Sequence, residues 1–225
     1  PNKFLKNIKK LIKKNGLFVL EVEYLSKFMK NIQYERFYFD RPFYYSLSSI
    51  NYIFKSVGMS LIDVENIDIH GGSLRCYIKN TKNHPSTNIV KNIIKKEKKE
   101  LTISSFKSFQ KRIYAESKKL KSMLEFYKRK NKKIIGYGAP ARVSTITNFA
   151  NIDFSHIDYI IDDSPLKQNR FSPGKHIPIF SRKKFKNKKI DIMIVFAYEY
   201  FDQIKKNTKK YKCDYFQPIP FRVLK

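Results

Sequence analysis

Between Asn83 and Asn131 the sequence holds no glycine and a single proline, Pro85. Within that stretch Phe106, Phe109, Ile113, Leu120, Leu124 and Tyr127 are spaced three, four, seven, four and three apart. This is the repeat of one apolar face of a long helix, with the lysines between as its wet face. Such a helix packs between and joins two bodies. On either side of it, strand-like and helix-like segments alternate, which argues for an α/β chain. The expected organisation is a first domain over 1–84, a linking helix over 85–131 and a second, Rossmann-like domain over 132–225.

In the first segment, Phe4, Leu5, Ile8, Leu11 and Ile12 recur at helical spacing, and Asn15-Gly16 stops that helix. The sequence therefore opens inside or beside a helix, and its first residue is Pro; the expectation is the C-terminal part of something longer. Leu17 to Val22 is a continuous apolar run and reads as a buried parallel strand with acids at its carboxyl end. Tyr24 to Asn31 reads as a short helix and the aromatic, aperiodic stretch Gln33 to Tyr45 as a loop. Ser46 or Ser48 caps a helix that runs to Val57 and stops at Gly58. Met59 to Ile69 and Ser73 to Ile78 read as two strands joined by the turn His70-Gly71-Gly72.

The last segment begins with Lys133-Ile-Ile-Gly136-Tyr-Gly138-Ala-Pro140-Ala141, a strand, a glycine turn and a helix start. Ile157 to Ile161 and Ile190 to Phe196 are further strands, and Tyr198 to Lys206 a helix.

The charge is large: 47 basic against 19 acidic residues, a formal +28. Nine of the basic residues are Arg and the rest Lys, spread over the chain and not gathered in a stripe. Lys reads bases and phosphates less well than Arg, and Asn and Ile are abundant too. The charge thus reads as biased composition on solvated faces; a small anionic substrate is expected, and nucleic acid is not. No stretch approaches eighteen uncharged apolar residues, so no membrane span is expected. Two cysteines, Cys76 and Cys213, are too few for a disulfide framework or a four-cysteine zinc site, which favours a cytoplasmic protein.

Several residues can carry chemistry. The Gly136-x-Gly138 turn before a helix can cradle a phosphate or serve only as a tight turn. Asp162 follows Gly138 by 24 residues, near the spacing at which an acid meets a ribose, but Pro140 and Ala141 break the dinucleotide fingerprint and argue against NAD. Asp162 and Asp163 at a strand end can hold a metal or sugar hydroxyls, or cap a turn; Lys167 and Lys175 can meet phosphates. His70 stands before two glycines, and Arg75 on the next strand can hold a carboxylate or phosphate bidentately. Tyr38, Asp40 and Arg41 cluster in the aromatic loop, where a Tyr beside a carboxylate can move a proton, or an ion pair can simply pin the loop.

Taken in order, Glu21-Val-Glu-Tyr24, Tyr38-Phe-Asp-Arg41, Phe43-Tyr-Tyr-Ser-Leu47, His70-Gly-Gly-Ser-Leu-Arg75, Tyr137-Gly-Ala-Pro-Ala-Arg142, Ile161-Asp-Asp-Ser-Pro-Leu-Lys167 and Pro173-Gly-Lys-His-Ile-Pro-Ile179 resemble the sugar-nucleotide C-methyltransferases, which act on deoxy-3-keto hexoses carried on dTDP. The helix followed by a long hairpin before residue 84 is how the sheet of a class I methyltransferase closes. The resemblance implies that 1–84 is the C-terminal half of an S-adenosylmethionine-binding domain and that 132–225 binds the nucleotide sugar, for a cell-surface polysaccharide or a glycosylated metabolite. A base removes the proton beside the ketone and the enolate attacks the donor's methyl. It implies catalytic roles around Tyr38, Asp40, Arg41 and His70. Substrate contacts are implied at Arg75, Tyr137, Gly138, Ala139, Asp162, Asp163, Lys167 and His176, with no metal ligand in this sequence.

The sequence departs from that family in two places. The zinc-binding cysteines and the glycine-rich S-adenosylmethionine loop are absent, and would belong to an N-terminal half supplied in cis or in trans. The family loop Tyr-His-Glu-His becomes Tyr38-Phe39-Asp40-Arg41. Arg41 stands where the family has its base, and a guanidinium cannot accept a proton at neutral pH. Either Tyr38 or His70 takes over, or the reaction differs, or catalysis is lost. Arg41 can instead stabilise developing negative charge. The sequence alone is expected to be inactive. Its rival readings are a non-catalytic nucleotide-sugar binder and a basic nucleic-acid-binding protein.

Overall fold

A computed structural model describes residues 2–69, 71–185 and 188–225. Its helices are α1 (Asn2–Leu11), α2 (Leu25–Asn31), α3 (Leu47–Ser56), α4 (Asn88–Glu100), α5 (Ile103–Arg129), α6 (Arg142–Phe149) and α7 (Phe201–Thr208). Its strands are β1 (Leu17–Glu23), β2 (Ser60–Ile67), β3 (Ser73–Lys79), β4 (Ile134–Tyr137), β5 (Ile160–Ile161), β6 (Arg170–Phe171), β7 (Pro178–Phe180), β8 (Ile192–Val195), β9 (Asp214–Gln217) and β10 (Arg222–Leu224). The α/β expectation holds. The chain divides into two units, Pro1–Asn31 with Arg41–Phe109, and Ile32–Asp40 with Gln110–Lys225.

The first unit is built on a sheet of order β1-β3-β2, with β3 antiparallel to both neighbours. The hairpin β2–β3 forms as its alternating pattern directs. The run Leu17–Val22 does not form the buried parallel strand expected of it. β1 is antiparallel to β3, and Leu17 and Val19 are exposed. An unbroken apolar run resembles two-sided burial, but only Phe18, Leu20 and Val22 pack on the core, against residues such as Phe54, Leu61 and Leu74. Ser46 caps α3 as expected: its hydroxyl accepts from the Ser49 N–H, and the Ser49 hydroxyl accepts in return from the Ser46 N–H. Gly58 ends that helix at φ +71°, where a side chain would strain the backbone.

The linking helix expected over 85–131 is two helices. Thr87 caps α4, and α5 begins afresh at Thr102, whose hydroxyl accepts from the Ser105 N–H at 3.2 Å. The break lets α4 pack into the first unit. Its Glu97, 1% exposed, accepts from the Leu47 and Ser48 N–H groups at 2.7 Å each and from the Ser48 hydroxyl at 2.5 Å. A buried carboxylate is tolerated there because it meets the unpaired N–H groups and positive end of α3.

The second unit has a seven-stranded sheet of order β10-β9-β8-β4-β5-β7-β6. β9, β8, β4, β5 and β7 are parallel; β10 and β6 pair antiparallel at the edges. β4 and β8 are buried along their whole length, which is why they read as continuous apolar runs. The later part of α5 buries Leu120 and Leu124 here. Two expected elements are shorter than the sequence promised: the strand over Ile157–Ile161 pairs only through Ile160 and Ile161, and the helix over Tyr198–Lys206 begins with a separate 3₁₀ turn, Tyr198–Tyr200. The stretch 33–45 is not wholly a loop. It holds the 3₁₀ turn Tyr34–Arg36, and residues 32–40 belong to the second unit.

Candidate functional site

The parallel strands of the second unit turn their carboxyl ends toward the loops that follow β4 and β5, the place where open α/β sheets carry ligands. β4 ends at Tyr137, and Gly138 then turns the chain at φ +81°. A Cβ there would lie 2.6 Å from the Ala197 Cβ, so glycine is required for conformation and for space. The Ala139 N–H donates to Oδ2 of Asp162 at 2.6 Å. Oδ1 of the same carboxylate accepts from the Ser164 N–H at 2.9 Å, and Lys167 Nζ stands 3.6 Å from Oδ2. Asp162 therefore ties the loop after β4 to the loop after β5. The Tyr137 hydroxyl donates to Oδ2 of Asp163 at 2.7 Å. Burial, reinforced by Asp163, pushes that phenol well above its ordinary range.

Beside this clasp lies a cavity of about 550 Å³. One wall is the turn into α6, residues 139–141 and 143–145; another is Lys167, Arg170, Phe171 and Ser172; a third is Tyr38 and Phe39 from the segment 32–40. Its lining holds two cations, Lys167 and Arg170, and no carboxylate among the described residues. The volume and the mostly apolar walls with a few polar groups fit a small-molecule site.

The 32–40 segment is held to the second unit by side chains. The Tyr34 hydroxyl lies 2.9 Å from the Ser117 hydroxyl, and its ring packs 5.0 Å from that of Phe149. Burial pushes the Tyr34 phenol up to about 12. Glu35, with no exposed surface, accepts from the Tyr198 hydroxyl at 2.6 Å. Burial raises its carboxyl above the ordinary range, only partly offset by that bond. Oε1 of Glu199 accepts from Nη2 of Arg36 at 2.7 Å and from Nη1 of Arg142 at 2.6 Å. Burial acts to raise the Glu199 carboxyl, but the hydrogen bond and charge of Arg142, joined by Arg36, outweigh it and hold the group below its ordinary range.

Of the residues singled out in the sequence, the structure brings Tyr38, Ala139 and Lys167 to the cavity. Tyr137, Gly138, Asp162 and Asp163 form the clasp that shapes it. Because the Ala139 N–H is taken by Asp162, the glycine turn leaves that donor unavailable to a phosphate. Asp40 is exposed. His176 is also exposed, in the turn between β6 and β7, with φ +49°. Lys175, read as a phosphate contact, meets the Asn151 side chain at 2.5 Å. In the first unit, Arg41 pairs with Glu23, and Arg75 pairs with Glu21 at 3.2 Å and Glu65 at 3.6 Å across the strands. Arg75 thus has its charge met within the sheet. His70 lies outside the described residues. Sequence reasoning passed over Arg170, Phe171, Glu35, Arg36, Tyr198 and Glu199. The adjacent Glu35-Arg36 among aromatics, and Tyr198-Glu199 just past the end of a buried strand, were the available signals.

A family model described as the C-methyltransferase C-terminal domain matches residues 68–220. The C-methyltransferase NovU of Streptomyces niveus is 27% identical over 213 residues, which is 92% of this chain and 50% of that protein. The chain thus spans about half the length of the curated relative it matches.

Proposed function

The chain belongs to the C-methyltransferase C-terminal domain family, and from that premise we propose that its second unit binds a nucleotide-linked keto-deoxysugar for S-adenosylmethionine-dependent C-methylation. The observation that carries this is the cavity beside the Asp162 clasp. It pairs two cations, Lys167 and Arg170, with the aromatic side chains of Tyr38, Phe39 and Phe171. A nucleoside diphosphate has the complementary parts: flat rings that stack on aromatics and a charged diphosphate that suits a guanidinium fork. Among the described residues no carboxylate lines the cavity itself. Asp162, 3.6 Å from Lys167, lies in the clasp beside it, which leaves Arg170 as the lining cation with no acid partner among the described residues.

S-adenosylmethionine, when bound, supplies the methyl group. The residues of the first unit do not make a holder for it. Their glycines stand at helix-to-strand junctions (Gly16, Gly58) and in the β2–β3 turn (Gly71, Gly72), and none lies between a strand and the helix after it. On this reading the donor loop would come from an N-terminal half, in the same chain or another. Among the described residues no three His, Cys, Asp or Glu side chains gather as a ligand set for zinc. A second reading, nucleotide-sugar binding without methylation by this chain, is favoured by one observation: Arg41, at the position of the family's base, is engaged by Glu23.

Thermal unfolding of the chain with and without dTDP or a dTDP-sugar tests the proposal, with inorganic phosphate at matched ionic strength as control. A ligand that binds only the folded state contributes about 2.7 kcal/mol at a hundredfold excess over its Kd. A rise in Tm with dTDP and none with phosphate supports the reading; no rise at millimolar dTDP removes it. Methyl transfer after supplying the N-terminal half then separates the two readings.

A further inference from the structure

We propose that Glu199 is a positioning residue for the cavity of the second unit, holding two of its walls at the separation a nucleotide requires. The inference rests on the nucleotide reading above. Glu199 does not line the cavity. Its Oε1 nonetheless receives two guanidinium groups, Arg36 at 2.7 Å and Arg142 at 2.6 Å. Arg36 precedes by two residues the Tyr38 that forms one wall. Arg142 is the first residue of α6, between Ala141 and Val143, which belong to another wall.

The 32–40 wall has little regular structure of its own. Its regular structure is a three-residue 3₁₀ turn, and the residues on both sides of it belong to the other unit. Side-chain anchors hold it, among them Tyr34 to Ser117 and Phe149, Glu35 to Tyr198, and Arg36 to Glu199. Tyr34 and Tyr198 also touch α6, at Phe149 and over the Arg142 guanidinium, but among these Glu199 is the carboxylate that joins a cation of the segment to a cation of α6. The Arg36 and Arg142 side chains are only 6% and 15% exposed. Without the carboxylate between them they would be two like charges poorly reached by water, and would push the walls apart. The charged and titratable groups facing Glu199 are Arg36 on the segment itself, Arg142 on α6, and Glu35 and Tyr198 beside them.

The test is the affinity of the intact chain for dTDP by isothermal titration calorimetry, at a temperature where circular dichroism shows every variant folded. Glu199→Gln should bind about tenfold more weakly, the size of effect that loss of a charged hydrogen bond produces. Glu199→Asp, which keeps the charge, should recover part of that loss. Glu97→Gln serves as the control for general destabilisation: it loses a buried carboxylate of the first unit and should leave the dTDP affinity unchanged. If Glu199→Gln does not fold, Arg142→Lys carries the same test, since it keeps a charge but loses the fork. Wild-type affinity, within twofold, in whichever of these two variants is folded overturns the inference and leaves the nucleotide reading standing. No dTDP binding by the wild type overturns both.

Discussion

The hydroxyl of Tyr198 donates to Oε1 of Glu35 at 2.6 Å, across 163 positions of sequence. The other carboxylate oxygen, Oε2, is buried without a hydrogen-bond partner among the described residues. A carboxyl so placed is better neutral than charged, which is why burial raises its pKa in spite of the donor and the two nearby guanidinium groups.

That shift has a definite sign in stability. The folded state holds the Glu35 proton above the ordinary glutamate value of 4.5, where the unfolded chain has released it. Between that pH and the raised folded value, stability falls as pH rises. Glu35→Gln keeps an acceptor for Tyr198 and does not titrate. Its Tm should match that of the wild type near pH 4 and exceed it near pH 7, by about 2–4 °C for each kcal/mol relieved. Equal differences at both pH values would mean that Glu35 is ionised in the folded state.

Asp162 is a structural clasp, so Asp162→Ala should lower stability whether or not ligand binds. It leaves the Ala139 and Ser164 N–H groups without their acceptor. The expected loss is about 1–3 kcal/mol, read from the urea midpoint. Ala at 162 with an unchanged midpoint would show that the two loops hold each other by other means.

Arg170 is exposed and lines the cavity. Arg170→Gln should therefore leave stability within about 0.5 kcal/mol, as surface substitutions usually do. The affinity for dTDP should fall by about tenfold, and its dependence on salt should weaken. Unchanged affinity would move the anion subsite away from this side chain.

Glu97→Gln addresses the first unit alone. The carboxylate accepts three hydrogen bonds at the start of α3, and an amide offers one oxygen and no charge. A loss of about 1.5–3 kcal/mol is expected by urea denaturation. A negligible loss would show that the helix end draws its stability from the Ser46 cap.

Much of the local architecture was legible because it is written in neighbouring residues. The Ser46 cap, the Gly58 stop, the β2–β3 hairpin and the strand–glycine–helix run from Lys133 follow from short-range chemistry. The break at Leu101-Thr102 was missed because apolar spacing stays helical across it, while the Thr102 cap leaves no mark on that period. β1 was misread because an apolar run has the same appearance whether one face or two faces are covered. Of the cavity, the glycine turn, Asp162, Lys167 and Tyr38 drew notice, whereas Arg170 and Phe171 sit on a two-residue edge strand too short to show a pattern.

The sequence by itself determined the α/β class, most of the element order and the resemblance that the family match upholds, since each rests on residues close together in the chain. Only the tertiary structure decided that residues 32–40 belong to the second unit, that Glu35 and Glu97 are buried, and that Glu199 receives both Arg36 and Arg142. The physical reason is that a charge or a hydroxyl carries no record of its partner. Glu35 meets Tyr198 because two distant segments are brought together by apolar packing, and that pairing has no period or spacing to read in advance.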